Sequence, residues 1–568
     1  ILNLISGTRS SLTISTFHHF CSTILRYNAT SINLDSNFSI IDDSDRLSII
    51  KDVMVELKID PKITPPRVIL SSISNAKSLL LNTDGFKTNA TDNFKLMVYE
   101  CYQLYEKKLQ LSQVVDLDDL LIKVFFMLKS NNSILNIYQN RYEHLMIDEF
   151  QDTNVAQYEI AKLLSNQHRN ICVVGDPDQS IYSWRNADIR NILSLQKDYP
   201  NAKVIALEEN YRSSQTILDA ARKIIASNTQ RVDKKLWTKN GRGVPIVVGE
   251  GYNEQDESQF VIKEIQNLTR GTGYALGDIA IMYRVNAQSR ALEESCLRYG
   301  VPYQIVGSLK FYQRQEIKDF TSYLRLMSNP EDDVSLTRAI NVPSRGIGRR
   351  TLEELTHMAR NGNTSLLSTI EAVAQRKDSE EVRSAFTSRA VRALIDFGNL
   401  MKIMSSKIDS LNLLELMNLV LEQTGYKRYL LEEAERGEER WENIQEFLNT
   451  SRDFLHLEGR EAMTSFLEGI SLVNDVDNLQ DKPDAITLIT LHQAKGLEFA
   501  VVFIVGMEEG LLPHMRSIDS GDPEEMEEER RLFYVGMTRA KERLYLLRAF
   551  RRGFRGTSEP SMPSRYLS

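Results

Sequence analysis

Cysteine is scarce in this 568-residue chain: Cys21, Cys101, Cys172 and Cys296 stand far apart. No two have the spacing of a zinc or iron–sulfur site, so clusters of that kind are excluded. Isolated thiols suit a reducing cytoplasm, with each cysteine buried and inert. Long apolar runs are missing too; none approaches the roughly 18 residues that a helical bilayer span requires. The opening stretch Ile1–Gly7 is too short, and lacks the basic flank, to be a secretory signal. It begins with Ile rather than Met, which reads as a piece of a longer chain. Short-period repeats and low-complexity tracts are absent. Neither charge dominates: 69 Lys+Arg against 77 Asp+Glu leave −8. That balance argues against nucleic-acid binding by bulk charge and leaves room only for a local basic groove.

What is present is globular. Hydrophobic residues make up 42% and charged residues 26%, and the length accommodates three or four compact units. Two textures alternate. Short apolar, β-branched runs end in polar or glycine-bearing loops: Leu12–Thr16, His144–Asp148, Asn170–Asp176, Ala202–Leu207, Asp278–Tyr283, Ile486–Thr490, Ala500–Val505 and Arg543–Leu547. These predict buried strands of parallel α/β sheets. Between them, about 42–129 and about 331–480 carry apolar residues at three- and four-residue steps, as in Leu47–Leu57 and Leu411–Leu421, which predicts helical blocks. The simplest account is an α/β protein with two parallel-sheet domains, each interrupted by a helical insertion. Turn-rich segments at Asn329–Asp333 and Gln480–Asp484 bracket the second insertion.

Three strand ends carry chemistry. Leu145-Met-Ile-Asp-Glu-Phe-Gln-Asp152 places Asp148 and Glu149 at the carboxyl end of a strand, where open α/β sheets bind ligands. Adjacent acids suit phosphoryl chemistry, Asp148 holding Mg²⁺ and Glu149 deprotonating a water; a solvated acidic turn is the bland alternative. Val173-Val-Gly-Asp-Pro-Asp-Gln-Ser-Ile-Tyr-Ser-Trp-Arg185 ends a second strand. Gln179 is placed to touch a phosphate oxygen, and Tyr182, Trp184 and Arg185 make a stacking platform for unpaired bases unless the aromatics are core. Leu207-Glu-Glu-Asn-Tyr-Arg-Ser213 offers Tyr211 to an adenine and Arg212 to charge on a γ-phosphate.

Taken together, Asp-Glu-Phe-Gln-Asp-Thr-Asn, Gly-Asp-Pro-Asp-Gln-Ser-Ile-Tyr-Ser-Trp-Arg and Glu-Asn-Tyr-Arg-Ser resemble helicase motifs II, III and IV of the UvrD/PcrA/Rep group of superfamily 1 DNA helicases. In the family's order, Thr16-Phe-His-His-Phe-Cys21 resembles motif Ib, Thr490-Leu-His-Gln-Ala-Lys-Gly-Leu-Glu498 motif V, and Glu529–Lys541 motif VI. Tyr283–Arg290 and Phe311–Lys318 are similar to segments of the second motor domain. The resemblance implies two RecA-like motor domains: 1A at 1–30 and 112–211, and 2A at 212–328 and 484–568. Helical insertions 1B and 2B would fill 31–111 and 329–483. It implies ATP-driven 3′→5′ movement along single-stranded DNA and opening of single/double-strand junctions. Such a protein works in repair or replication as a monomer or weak dimer with accessory proteins.

Carried over by position, Asp148 would bind Mg²⁺, Glu149 would be the general base and Gln179 the γ-phosphate sensor. Arg212 and Arg539 would be paired arginine fingers, Tyr211 would stack on adenine, and Glu498 would contact the sugar. Phe17, His18, Tyr182, Trp184, Arg185 and His492 would hold single-stranded DNA. In Pro343–Leu352, the Gly346-Ile-Gly348 loop with Arg345, Arg349 and Arg350, ahead of a Thr-capped helix, would grip duplex DNA; an ordinary loop and cap is the alternative.

The pattern departs from the family in one respect. No G-x-x-x-x-G-K-[ST] segment, the loop that cradles the nucleotide phosphates, occurs in these residues. The expectation is therefore a C-terminal part of a longer helicase, with weak phosphate binding and an exposed sheet edge in its first domain. Two other readings stay open. One is a single-strand-binding module without ATPase activity, and the other a helicase subunit of a helicase–nuclease complex.

Overall fold

The computed structural model describes residues 12–568 apart from 42, 62, 308–309, 363, 433–435, 455, 478–483 and 555–556. The opening segment, and the linker expected at 480–484 except for Asp484, thus lie outside the described residues. Contacts divide the chain into two units: Ile1–Leu207 with Asn228–Lys234, and Glu208–Ser227 with Lys235–Ser568.

In the first unit, helix Phe17–Tyr27 starts at Thr16, whose Oγ1 accepts from His19 N. Its inner face packs Cys21, Ile24 and Leu25 against Leu121, Val124 and Leu128 of helix Leu117–Ser130. A separate core of Ile50, Val53, Ile69, Ile73, Tyr102 and Tyr105 holds helices Asp43–Glu56, Pro66–Ser78 and Asn93–Leu111 together. With helix Leu117–Ser130 these helices form the first expected helical block, and buried charges join them to that helix. Lys77, with a fully buried side chain, lies 2.9 Å from Asp116, 2.7 Å from Asp119 and 2.6 Å from Glu106. Arg46 reaches Asp118 at 2.8 Å, and Lys123 reaches Glu106 at 3.2 Å. Asp116 also caps its own helix, its Oδ1 accepting from Asp119 N at 2.7 Å. Such a set is stable only when every charge is answered.

The first unit's strands Leu145–Ile147 and Ile171–Val173 pair in parallel, residue 145 opposite 171. Two predicted strands do not form. Neither Leu12–Thr16 nor Ala202–Leu207 pairs with another strand, and in the second Val204, Ile205 and Leu207 are 65%, 69% and 79% exposed. An apolar run becomes a strand only where a neighbour offers its edge, and none among the described residues does so here. Cys172 is a third correction: it is exposed, because alternation along its strand turns it to an uncovered face, whereas the other three cysteines are buried.

The second unit holds a sheet in which the four predicted apolar runs are joined by two strands not predicted, Val247–Gly251 and Tyr303–Ile305. Six parallel strands lie in the order Val247–Gly251, Ala540–Ala549, Phe499–Ile504, Ile279–Tyr283, Ile486–Thr490, Tyr303–Ile305. The central strands Ile279–Tyr283 and Ile486–Thr490 are buried throughout, as continuous apolar runs covered on both faces must be. Helices from Asp333–Ala339 to Gly459–Asp477 share their own core, which extends back to Phe311, Phe320 and Met327. No helix among the described residues is long and apolar enough to cross a membrane.

Candidate nucleotide and DNA sites

In the first unit, strand Leu145–Ile147 delivers Asp148 and Glu149 to an exposed turn. Glu149 has φ 51° and ψ 41°, a left-handed conformation that an L-residue adopts only under constraint. The constraint is visible. Phe150 N donates to Val174 O on the neighbouring strand's exit, Asp152 N donates to Glu149 O, and Gln151 Nε2 donates to Glu149 Oε2 at 2.6 Å. Gln151 is fully buried, and its Oε1 accepts from Asp176 N at 3.0 Å. The two strand ends are thereby locked together. Gly175 is required at this crossing, since a Cβ would fall 2.5 Å from Gln151 Oε1 and 3.2 Å from Phe150 N. Asp176 in turn accepts from Gln179 Nε2 through Oδ2 at 2.9 Å. Asp148, Glu149 and Gln179 are thus joined by Gln151 and Asp176. Sequence reading passed over these two because a buried glutamine gains a partner only on folding.

Downstream of that turn, Trp184 is 53% exposed and Tyr182 half-buried, their rings edge-on at 6.2 Å. The Arg185 guanidinium lies 4.4 Å from the Trp184 ring centroid and 5.6 Å from that of Tyr182. Trp184 is therefore no core residue. Phe17 is half-buried and packs on the cores beneath it. His18 is half-buried, and burial lowers its pKa against the opposing pull of Asp118.

In the second unit, the segment before Arg212 is tied down at several points. Asn210 N donates to Trp237 O, Asn210 Oδ1 accepts from the N–H groups of Arg212 and Ser213, and Ser213 Oγ donates to Ala540 O. Arg212 Nε then donates to Glu498 Oε2 at 2.8 Å, and Lys541 Nζ lies 2.9 Å from Glu498 Oε1. Bonds from Arg212 and then Lys541 lower the Glu498 pKa to about 2. Tyr211 is 79% exposed, with Oη donating to Glu209. Arg539 follows the end of helix Pro523–Met537 and is buried. It donates from Nε to Val535 O and from Nη2 to Thr538 Oγ1, satisfying groups at that helix end. His492 is half-buried in the turn between strands Ile486–Thr490 and Phe499–Ile504. Arg212, Glu498 and Lys541 thus form one cluster, to which sequence reading did not assign Lys541.

The Gly346–Gly348 loop belongs to the second unit's helical block. Gly346 has φ +73°, the left-handed region in which a side chain would be strained. Asn341 staples the loop, donating to Ile347 O at 2.6 Å and accepting from Arg345 N at 2.9 Å. Arg345 turns inward to donate to the carbonyls of Ala339 and Ile340, both at 3.1 Å, leaving Arg349 and Arg350 exposed. The next helix begins at Arg349, so Thr351 lies in its first turn and is not its cap.

Comparison with known proteins matches the order of these elements. Residues 1–200 match the UvrD/REP helicase N-terminal domain, and residues 205–549 the UvrD-like helicase C-terminal domain. The ATP-dependent DNA helicase PcrA of Bacillus subtilis is 44% identical over 562 residues, which are 98% of this chain and 75% of that protein. PcrA of Staphylococcus aureus (strain Mu50) is 42% identical over 571 residues, 100% of this chain and 77% of that protein. Whole-chain identity at this level, with both helicase domains in order, makes the chain a member of the UvrD/PcrA-type family of ATP-dependent DNA helicases.

Proposed function

We propose that this enzyme moves 3′→5′ along single-stranded DNA at the expense of ATP and opens single/double-strand junctions. It would act in cytoplasmic DNA repair or replication as a monomer or weak dimer, with accessory proteins setting where it loads. The observation that carries this reading is the strained Glu149, held by Gln151 beside Asp148 and linked through Asp176 to Gln179.

In this reading Glu149 accepts the proton of the attacking water, Gln179 meets the γ-phosphate, and Tyr211 stacks on the adenine. Arg212 and Arg539 answer the negative charge that develops on the transferred group, and Glu498 reaches the sugar. Among the described residues there is no group of three or more His, Cys, Asp or Glu able to hold a metal by themselves. One exposed carboxylate suits Mg²⁺, which takes few protein ligands and arrives with nucleotide phosphate. Asp148 would hold that ion, whose part is to neutralise phosphate charge.

Trp184, Tyr182 and Arg185 receive bases by stacking, which tolerates any sequence, while Phe17, His18 and His492 complete the single-strand path. The Gly346–Gly348 loop presents exposed backbone to duplex phosphates. The motor divisions 1A and 2A and the insertions 1B and 2B follow this assignment.

A duplex carrying a single-stranded tail on one strand tests the polarity. Strand separation driven by ATP is expected with a 3′ tail and not with a 5′ tail. Equal or reversed preference would overturn the direction proposed.

A further inference from the structure

Four charged side chains gather at the turn that carries Gln179, and of them the nucleotide chemistry above uses only Asp176, as the link between Gln151 and Gln179. Asp176 and Asp178 lie on the turn itself. Arg231 and Lys234 come from Asn228–Lys234, a short strap that belongs to the first unit. Lys234 Nζ is ion-paired with Asp176 Oδ1 and lies 3.0 Å from Asp178 Oδ2; Arg231 Nη2 is 3.4 Å from that same Asp178 oxygen. The Asp178 side chain is 2% exposed, and those of Lys234 and Arg231 are 17% exposed. Asp178, withdrawn from water beside the partly exposed Asp176, requires counter-charge close by, and the strap supplies two cations.

The pairing reaches the catalytic groups through one carboxylate. Asp176 gives Oδ1 to Lys234 and Oδ2 to Gln179, while its N–H donates to Gln151, the residue that holds Glu149. Without the lysine, Asp176 would stand as an unanswered negative charge beside the place meant for a triphosphate. It would also be free to turn, taking the Gln179 amide with it.

Resting on the assignment of Gln179 to the γ-phosphate, we propose that Lys234 is a positioning residue for ATP hydrolysis, acting on Gln179 through Asp176. Its effect belongs in turnover rather than in DNA affinity, because none of these four charged groups lies on the stacking platform.

The experiment measures DNA-stimulated ATP hydrolysis by the full-length natural protein, with the variants Lys234→Met, Lys234→Arg, Gln179→Ala and the Gln179→Ala/Lys234→Met pair. Lys234→Met is expected to lower kcat by about tenfold or more while KM for ATP moves less than about threefold. Single-strand affinity without nucleotide should stay within about twofold, and Lys234→Arg should regain most of the turnover. In the Gln179→Ala background the lysine change should cost no more than about a further twofold.

A Lys234→Met kcat within about twofold of the unmodified protein, alongside a crippled Gln179→Ala, would overturn the proposal and leave the Gln179 assignment standing. A full additional loss in the double variant would overturn it as well. Parallel loss of turnover and single-strand affinity in Lys234→Met, unrelieved by Lys234→Arg, would make the lysine a structural strut. Unimpaired turnover in Gln179→Ala would remove the assignment and the proposal together.

Discussion

At the scale of single residues, Glu149 is the position where observed geometry and proposed chemistry coincide. Its left-handed backbone is opposed by sterics and maintained by three hydrogen bonds, and its carboxylate has one oxygen engaged by Gln151. Glu149→Gln keeps shape and size while removing the basic oxygen. ATP hydrolysis should fall to background with ATP binding largely retained, as single-turnover and equilibrium-binding measurements will read; residual turnover near the natural rate would remove Glu149 as general base. Trp184 makes the complementary case. With 53% exposure and the Arg185 guanidinium against one face, it has surface left for a base. Trp184→Ala should weaken single-strand binding by about 1–3 kcal/mol at matched salt, the usual worth of one stacked base. Fluorescence titration checks this, and an unchanged affinity would exclude the platform.

At the scale of elements, charge clusters decide how segments meet. Glu498 joins the Arg212 segment to the strand bearing Lys541, and its folded pKa of about 2 lies below the ordinary 4.5. A depressed carboxylate contributes stability above its unfolded pKa and loses it as pH falls toward the folded one. The melting-temperature difference between the natural protein and Glu498→Gln should therefore be constant from neutral pH to about 5 and shrink below about 4.5. A difference independent of pH down to acid unfolding would refute the pairing. The buried Lys77 cluster makes the stronger demand, because its charges have no water to fall back on. Lys77→Met leaves Asp116 and Asp119 facing each other and should cost about 3–5 kcal/mol in denaturant unfolding.

Across the whole molecule, two units with separate cores should not melt as one. Calorimetry is expected to resolve more than one transition, with Lys77→Met lowering only that of the first unit; a single transition shifted as a whole would contradict this. Much of this organisation is legible along the chain. Continuous apolar runs such as Ile279–Tyr283 and Ile486–Thr490 announce strands covered on both faces, and three- and four-residue spacing announces the two helical blocks. The same rule misplaced Ala202–Leu207, since a local pattern states that residues can pair but not that a partner edge exists.

Family identity and element type were determined by local order in the sequence, as were the roles proposed for Asp148, Glu149, Gln179 and Trp184, because the signals for them reside in neighbouring residues. The second-layer contacts were decided only by the tertiary structure: Gln151 bridging two strand ends, Asp176 shared between Gln179 and Lys234, Lys77 answered by acids about forty positions away, and Arg345 folded under its own loop. A buried polar group takes whatever partner the fold carries within about 3 Å of it, and no spacing along the chain encodes that distance.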